Sequence, residues 1–343
     1  MRRFRDRDYI KTFDELYFTV LGNTHPKDKV IAYLKYAPSK KGIWGKYPHL
    51  YDRPIKEYTI HNIKKMMNFL KKNYPHYIHK IFNIDFSAVP CESIMTHYKP
   101  EEKLQQLIKL NVKDELQKKV VELALTLSKE SKVEIKDFGV TGSILIDLHK
   151  LNFSDIDLTV YGKENSLAVK KALKNIYSKE GEIQKFSIKD FEEWYKIKGR
   201  LYPLTLKEAL TLFEKAWNKG KFKETPFSIH PIKIESEIKE DYYKRQYFPI
   251  SLVAGKAKII DASESIFMPG KYKVECKLKR EVKVNEIVTF EGFYAGVAEE
   301  GEEILFKGKL EKVEDKNKNE SYFRIVVGSL EAKGEDYIKI VKD

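Results

Sequence analysis

A chain of 343 residues with 42% hydrophobic content is long enough for two or three domains with their own cores, which excludes a disordered or fibrous protein. Its 64 Lys and Arg against 51 Asp and Glu give a net charge of +13, and the first hundred residues hold 19 of the basic groups against 9 acidic ones, with ten of the 21 tyrosines. That mixture suits phosphate backbones and stacked bases, and equally a solvated surface around an ordinary core. Two cysteines, Cys91 and Cys276, exclude a multi-bridge disulfide framework and a Cys-rich zinc site. No run approaches about 18 apolar residues, which excludes a membrane-spanning helix, and the basic first residues lead into no apolar segment of a signal peptide. A cytoplasmic protein is expected.

Residues 1–100 carry seven of the twelve prolines and read as short strands and loops with one or two helices. Leu16 to Leu21 and Val30 to Tyr36 are rich in Val, Ile, Tyr and Phe, and the turn from Asn23 to Pro26 between them predicts a hairpin. Tyr58 to Lys71 predicts a surface helix packed by Ile63, Met66, Met67 and Leu70, with Lys64, Lys65, Lys71 and Lys72 on its other side. After Pro100, Glu101 and Glu102 favour a helix start, and Val112, Leu116, Val120, Leu123, Ala124 and Leu127 predict a longer helix. The period then shortens. Val133 to Val140 predicts a strand, Thr141 to Ser143 a strand-to-helix turn, Ile156 to Val160 a second strand, and Glu164 to Tyr177 a helix. Leu206 to Asn218 predicts another helix, with Gly220 as its stop.

From Phe227 the pattern is mostly β, with short runs at Lys256 to Ile260, Tyr272 to Cys276, Glu286 to Phe293, Ile304 to Leu310 and Tyr322 to Val327. Strands of that length need closure or a covering layer, which predicts a small OB-like or similar barrel. The fold class is therefore α+β, with expected domains at 1–100, 101–226 and 227–343.

The sharpest local pattern is FGVTGSILIDLHKLNFSDIDLTV, from Phe138 to Val160. A strand's period of two puts Asp155 and Asp157 on one face, with Ile156 and Leu158 behind it. Two carboxylates so placed repel unless a cation compensates them, and Mg²⁺ accepts such oxygen ligands together with substrate phosphates. Gly142 permits a tight turn and close approach by a phosphate, and Ser143 with the following backbone N–H groups can hold it. Either half alone is ordinary, a turn or a solvated strand edge. Their order and spacing make one site of them.

This stretch resembles the polymerase β-like nucleotidyltransferase superfamily, whose pattern is a hydrophobic strand, Gly-Ser, roughly ten residues and Asp-x-Asp, often with a preceding Ser as at Ser154. The match covers Ile135 to Tyr177, and the whole chain is similar to an uncharacterised archaeal group of predicted nucleotidyltransferases. The resemblance implies that Gly142 and Ser143 contact the triphosphate and that Asp155 and Asp157 bind Mg²⁺ or Mn²⁺. An acceptor hydroxyl would then attack the α-phosphate of an NTP in line, releasing pyrophosphate. Many active members add a third carboxylate on a later strand. Glu235 and Glu237, after the β-like run Phe227 to Ile234, are the nearest candidates, although an exposed glutamate is the ordinary role of each. Lys198 and Arg200 are candidates by composition alone to neutralise phosphate charge, a solvated loop charge being their ordinary role.

His25, His49, His61, His76, His79 and His97 cluster in the first hundred residues, but their spacing does not demand zinc, and surface or hydrogen-bonding roles are expected. The leading expectation is an enzyme that transfers a nucleotide to an acceptor, RNA or DNA being the class most compatible with the charge. The alternatives are a noncatalytic nucleic-acid-binding protein on a transferase scaffold, and a structural or antitoxin-like partner protein.

Overall fold

The computed structural model describes residues 2–55, 60–81, 84–110, 114–239, 242–278, 282–316 and 318–341. The chain divides into two compact units, one of Met1–Lys56, Lys65–Lys185 and Asn218–Ile238, the other of Glu57–Lys64, Phe186–Trp217 and Lys239–Asp343.

The first unit opens with β1 (Tyr9–Thr12), β2 (Tyr17–Val20), β3 (Lys29–Pro38), β4 (Trp44–Lys46), β5 (His49–Asp52), β6 (Ile78–Ile81), β7 (Ile84–Pro90) and β8 (Ile94–Tyr98). They run in the order β4-β5-β3-β2-β1-β8, while β7 pairs with β3 and with β6. The expected hairpin forms, β2 and β3 pairing antiparallel. Helix α1 (Ile60–Asn73) buries Met66, Met67 and Leu70 as its spacing predicts; residues 58 and 59, with which that helix was expected to open, lie outside the described residues. Several of the tyrosines serve as core: Tyr9, Tyr17, Tyr36 and Tyr51 pack with Trp44 against Leu145, Ile146 and Leu148.

A five-stranded sheet follows, built from β9 (Phe138–Val140), β10 (Ile156–Tyr161), β11 (Ile183–Gln184), β12 (Lys219–Phe222) and β13 (Thr225–Ile232), in the order β11-β12-β13-β10-β9. Around it lie α2 (Pro100–Lys109), α3 (Glu115–Ser131), the short α4 (Gly142–Leu145) and α5 (Lys163–Ile176). Asp114 starts α3 by accepting hydrogen bonds from the N–H groups of Leu116 and Gln117. Its stripe of Leu116, Val120, Leu123, Ala124 and Leu127 is buried, and the helix packs on α5 and β10; Val112 lies outside the described residues. The strand expected from Val133 is shorter. Lys132 ends α3 in the left-handed region (φ 60°), and Ile135–Asp137 makes a 3-10 turn before the chain extends.

Buried polar contacts tie the chain's start to this core. The Arg2 guanidinium donates two bonds of 2.7 Å to Asp8, which is fully buried, and pairs with Glu101 of α2; Tyr161 of β10 donates to the same Glu101 at 2.7 Å.

In the second unit, α6 (Ile188–Ile197) and α7 (Leu206–Lys215) precede β14 (Arg245–Asp261), β15 (Gly270–Lys277), β16 (Lys283–Thr289), β17 (Glu303–Asp315), β18 (Glu320–Val327) and β19 (Tyr337–Ile340). The sequence reading missed α6, although Ser187 and Asp190 form a capping box at its start. It also took Gly220 for a helix stop. Gly220 lies inside β12, five residues beyond the end of α7 at Lys215. Phe191, Leu212, Tyr272, Ile287, Phe306 and Ile325 belong to the core of this unit.

The expectation of a small OB-like barrel is corrected here. The C-terminal strands form one six-stranded sheet in the order β14-β15-β16-β18-β17-β19, with β17 also pairing with β14, and β19 ends it, pairing among the described residues with β17 alone. Barrel closure needs strand length and stagger to agree around the ring. Here β14 has 17 residues and pairs with β17 from Arg245 to Lys258 but with β15 only from Lys258 to Asp261, so most of its other edge carries no strand among the described residues. Among the described residues, no helix is long and apolar enough to cross a membrane.

A tight backbone approach in the first unit lies where α2 meets β9. A Cβ at Gly139 would stand 2.5 Å from Thr159 Oγ1, 2.6 Å from the Pro100 carbonyl carbon and 2.7 Å from the Glu101 nitrogen. Two of those atoms are backbone and cannot swing away. Gly139→Ala is expected to cost about 1–3 kcal/mol of stability, read as a lower urea midpoint at unchanged slope.

Candidate functional site

Strand β10 carries the site because its two faces have opposite environments. Ile156, Leu158 and Val160 are fully buried on one face, which fixes the direction of Asp157 on the other. On one side β10 pairs antiparallel with β9, and on the other it runs parallel to β13, with Asp157 opposite Ser228. Between β9 and α4 the chain turns sharply against Asp157: the Thr141 N–H donates to the Asp157 carbonyl at 2.8 Å, and Gly142 follows at φ +70°. A Cβ on Gly142 would stand 2.5 Å from Asp157 Oδ2. Only glycine fits this turn, on both conformational and contact grounds.

Ser143 and Ser154 are both buried, their hydroxyl oxygens 3.4 Å apart, and the Lys150 N–H donates to Ser154 Oγ at 2.9 Å. The serine before the Asp pair thus braces the returning loop against the glycine turn. Gly142, Ser143, Asp155 and Asp157 come together at one place.

The two carboxylates differ in state. The negative charge of Asp157 is the main reason that the Asp155 carboxyl is pushed up to about 6, with desolvation second; Arg53 and Lys35 act in the opposite direction. Burial also works against ionisation of Asp157, but hydrogen bonds from His230 and Ser228 outweigh it and hold this carboxyl below the usual carboxylate range. Ser228 donates a short bond to Asp157 Oδ1, and His230 Nε2 lies 2.8 Å from Ser228 Oγ and 3.4 Å from Asp157 Oδ1. Desolvation, and then Arg7, lower the His230 imidazole to about 4, so it is neutral near neutral pH.

Sequence reasoning missed Ser228 and His230, although they alternate with Phe227 and Ile229 in the β-like run already noticed. It also missed three groups from the first hundred residues. Lys35 lies on β3 and is lowered to about 7 by desolvation and by Arg53, with Asp157 and Asp155 opposing the shift. Arg53, just after β5, donates from Nη2 to the Tyr36 hydroxyl at 2.6 Å, and its guanidinium carbon lies 3.7 Å from the Trp44 ring centroid. Arg7 acts electrostatically on both Asp157 and His230. The available signal was a single lysine inside the apolar run Val30 to Tyr36.

The other sequence candidates lie elsewhere. Glu235 is half-exposed in the turn after β13, 3.5 Å from both Arg3 and Arg5. Glu237 accepts from the Lys163 N–H at 2.7 Å, at the start of α5. Lys198 and Arg200 are exposed beside the turn that follows α6, in the second unit. His76 pairs with Asp14 at 3.0 Å and His97 with Asp8 at 2.7 Å, which are hydrogen-bonding roles. Side-chain contacts of His61 lie outside the described residues.

Among the described residues, no group of three or more His, Cys, Asp or Glu is placed to hold a metal ion. The Asp pair nevertheless suits a hard cation in its chemistry. Two oxygen-donor side chains interact across Ile156, and the repulsion that raises Asp155 is what a divalent ion would relieve, its remaining ligands coming from solvent or phosphate.

Residues 118–246 match the nucleotidyltransferase domain family. An uncharacterized protein of Methanocaldococcus jannaschii, MJ1086, is 32% identical over 347 aligned residues, covering 98% of this chain and 99% of that protein. No solved structure matches the chain. A similarity at that level over nearly the full length of both chains, together with the Gly142–Asp157 turn, places this protein in the archaeal family of MJ1086, with a polymerase β-like nucleotidyltransferase domain.

Proposed function

We propose that the protein transfers a nucleotide from an NTP to an acceptor hydroxyl, with Asp155 and Asp157 as the metal-binding carboxylates. The observation that carries this reading is the fit of Gly142 against Asp157, which sets the Gly-Ser turn and the acidic pair side by side. Asp155 and Asp157 would hold Mg²⁺ or Mn²⁺, which when bound supplies charge neutralisation at the phosphates. The chain's own residues do the rest. Gly142 leaves room for a phosphate to approach the backbone, Ser228 and His230 keep Asp157 ionised and aimed, and the buried face of β10 prevents the pair from turning apart. RNA is the acceptor class that the net charge of +13 favours.

A second reading has one observation in its favour. Opposite Asp157, where β13 runs beside β10, the chain places Ser228 and His230 and no carboxylate. A transferase scaffold that binds nucleic acid without turnover would tolerate this substitution. Glu235 completes the site only if its turn leaves Arg3 and Arg5.

Label transfer from each α-labelled NTP, with Mg²⁺ or Mn²⁺ and with total cellular RNA or protein as acceptor, separates the two readings. Transfer is expected, and the Asp155→Ala, Asp157→Ala double variant is expected to reduce it at least about 100-fold. Salt-sensitive RNA binding by folded protein with no transfer from any NTP would establish the noncatalytic reading.

The state of Asp155 gives a second check that needs no turnover. Its carboxyl is raised from 3.8 to about 6, so the proton it holds stabilises the folded, metal-free protein at low pH, and that stabilisation is lost as pH rises through about 6. Asp155→Asn removes the repulsion. It is expected to raise the metal-free Tm at about pH 8 and to change it little at about pH 4. Mg²⁺ is expected to raise the wild-type Tm at about pH 8, far less at about pH 5, and not in the Asn variant.

A further inference from the structure

Arg53 is an unusual guanidinium. Its plane is fixed from two directions: Trp44 lies 3.7 Å away from ring centroid to guanidinium carbon, and the Tyr36 hydroxyl accepts from Nη2 at 2.6 Å. Tyr36 is fully buried and Trp44 nearly so, so neither clamp can move far. No carboxylate pairs with Arg53 within 4.0 Å among the described residues, and its buried Nε has no hydrogen-bond partner. Desolvating a guanidinium donor without a partner costs free energy that an oxyanion would recover. Its charge also reaches the acidic pair, opposing the rise of Asp155. Lys35 on β3 and Arg7 add positive charge to the same neighbourhood, both acting on Asp157 or its partner His230.

A cation placed to neutralise Asp155 and Asp157 would sit in contact with one of them. Arg53 does not, and it keeps donors uncommitted. A rigid planar fork with free N–H groups matches a phosphate bearing several oxygens better than a lysine does. Resting on the nucleotidyl-transfer reading above, we propose that Arg53, clamped by Trp44 and Tyr36, is a binding residue for the polyphosphate of the nucleotide, so that the segment before the matched transferase domain completes the site with a positive wall facing Asp155 and Asp157.

Inorganic tripolyphosphate isolates this contact from base and acceptor. Its binding to the full chain, and that of ATP, is measured by calorimetry with and without Mg²⁺, with adenosine as the control that carries no phosphate. The wild type is expected to bind tripolyphosphate and ATP. Arg53→Gln is expected to weaken both about 10- to 100-fold and to leave any adenosine binding unchanged, with Arg53→Lys recovering only part of the loss. If Arg53→Gln fails to fold, Tyr36→Phe keeps the ring and removes the hydroxyl that aims the guanidinium, and a severalfold loss of tripolyphosphate affinity is expected. Unchanged tripolyphosphate affinity in the folded Arg53 variants, or in Tyr36→Phe where those do not fold, while the wild type binds, would overturn the assignment and leave nucleotidyl transfer standing. Failure of the wild type to bind either ATP or tripolyphosphate would remove both.

Discussion

Two mutually repelling carboxyls, Asp155 just before β10 and Asp157 within it, are the constraint around which the site in the first unit is arranged. A strand could relieve such repulsion by twisting, but Ile156, Leu158 and Val160 are fully buried on its other face. Burying side chains of that size stabilises by about 1.5–3 kcal/mol each, far more than a small rotation would recover. The charge is therefore managed by neighbours. Ser228 and His230 donate to Asp157 from β13, while Arg53 and Lys35 oppose the rise of Asp155 from the N-terminal strands. The result is an asymmetric pair, one carboxylate ionised and the other poised near 6, which no local feature of either aspartate would produce alone.

The motif was legible because its demands are local. A glycine at positive φ, a serine after it and an Asp-x-Asp strand are fixed by turn chemistry and by a period of two, so Gly142, Ser143, Asp155 and Asp157 could be read together from the chain. The helices with clear stripes, α1, α3 and α5, were legible for the same reason. What could not be read depends on pairing between distant segments. Nothing near Lys35 or Arg53 in sequence indicates that β3 and the residue after β5 come beside a motif about a hundred residues later. The parallel register of β13 on β10 likewise turns Ser228 and His230 from ordinary strand residues into partners of Asp157. The C-terminal sheet shows the reverse error: short alternating runs suggested closure, but the length of β14 emerges only through its pairing with β17.

The N-terminal segment acts as part of the scaffold rather than as an appendage. Its tyrosines pack around Trp44 against the residues that follow the glycine turn, and Gly45 of β4 is tied to the same loop by its N–H to the Leu148 carbonyl at 3.3 Å and by Lys150 Nζ to its own carbonyl at 2.6 Å. Arg2, Asp8 and Glu101 add a buried ionic link to α2, and removing one member would strand the others without compensation. Part of the aromatic richness of the first hundred residues is thus spent on holding the loop that follows the glycine turn.

The contact between Gly142 and Asp157 also bears on how such a site decays. Because the second aspartate occupies the space a side chain at position 142 would need, the glycine cannot be replaced while that aspartate is kept. A lineage released from phosphate chemistry can first shorten or lose the acid, and only then can the glycine be replaced. A descendant holding the glycine without the acid would therefore be an early stage of decay, whereas one holding the acid without the glycine would mean that the backbone had first been rebuilt.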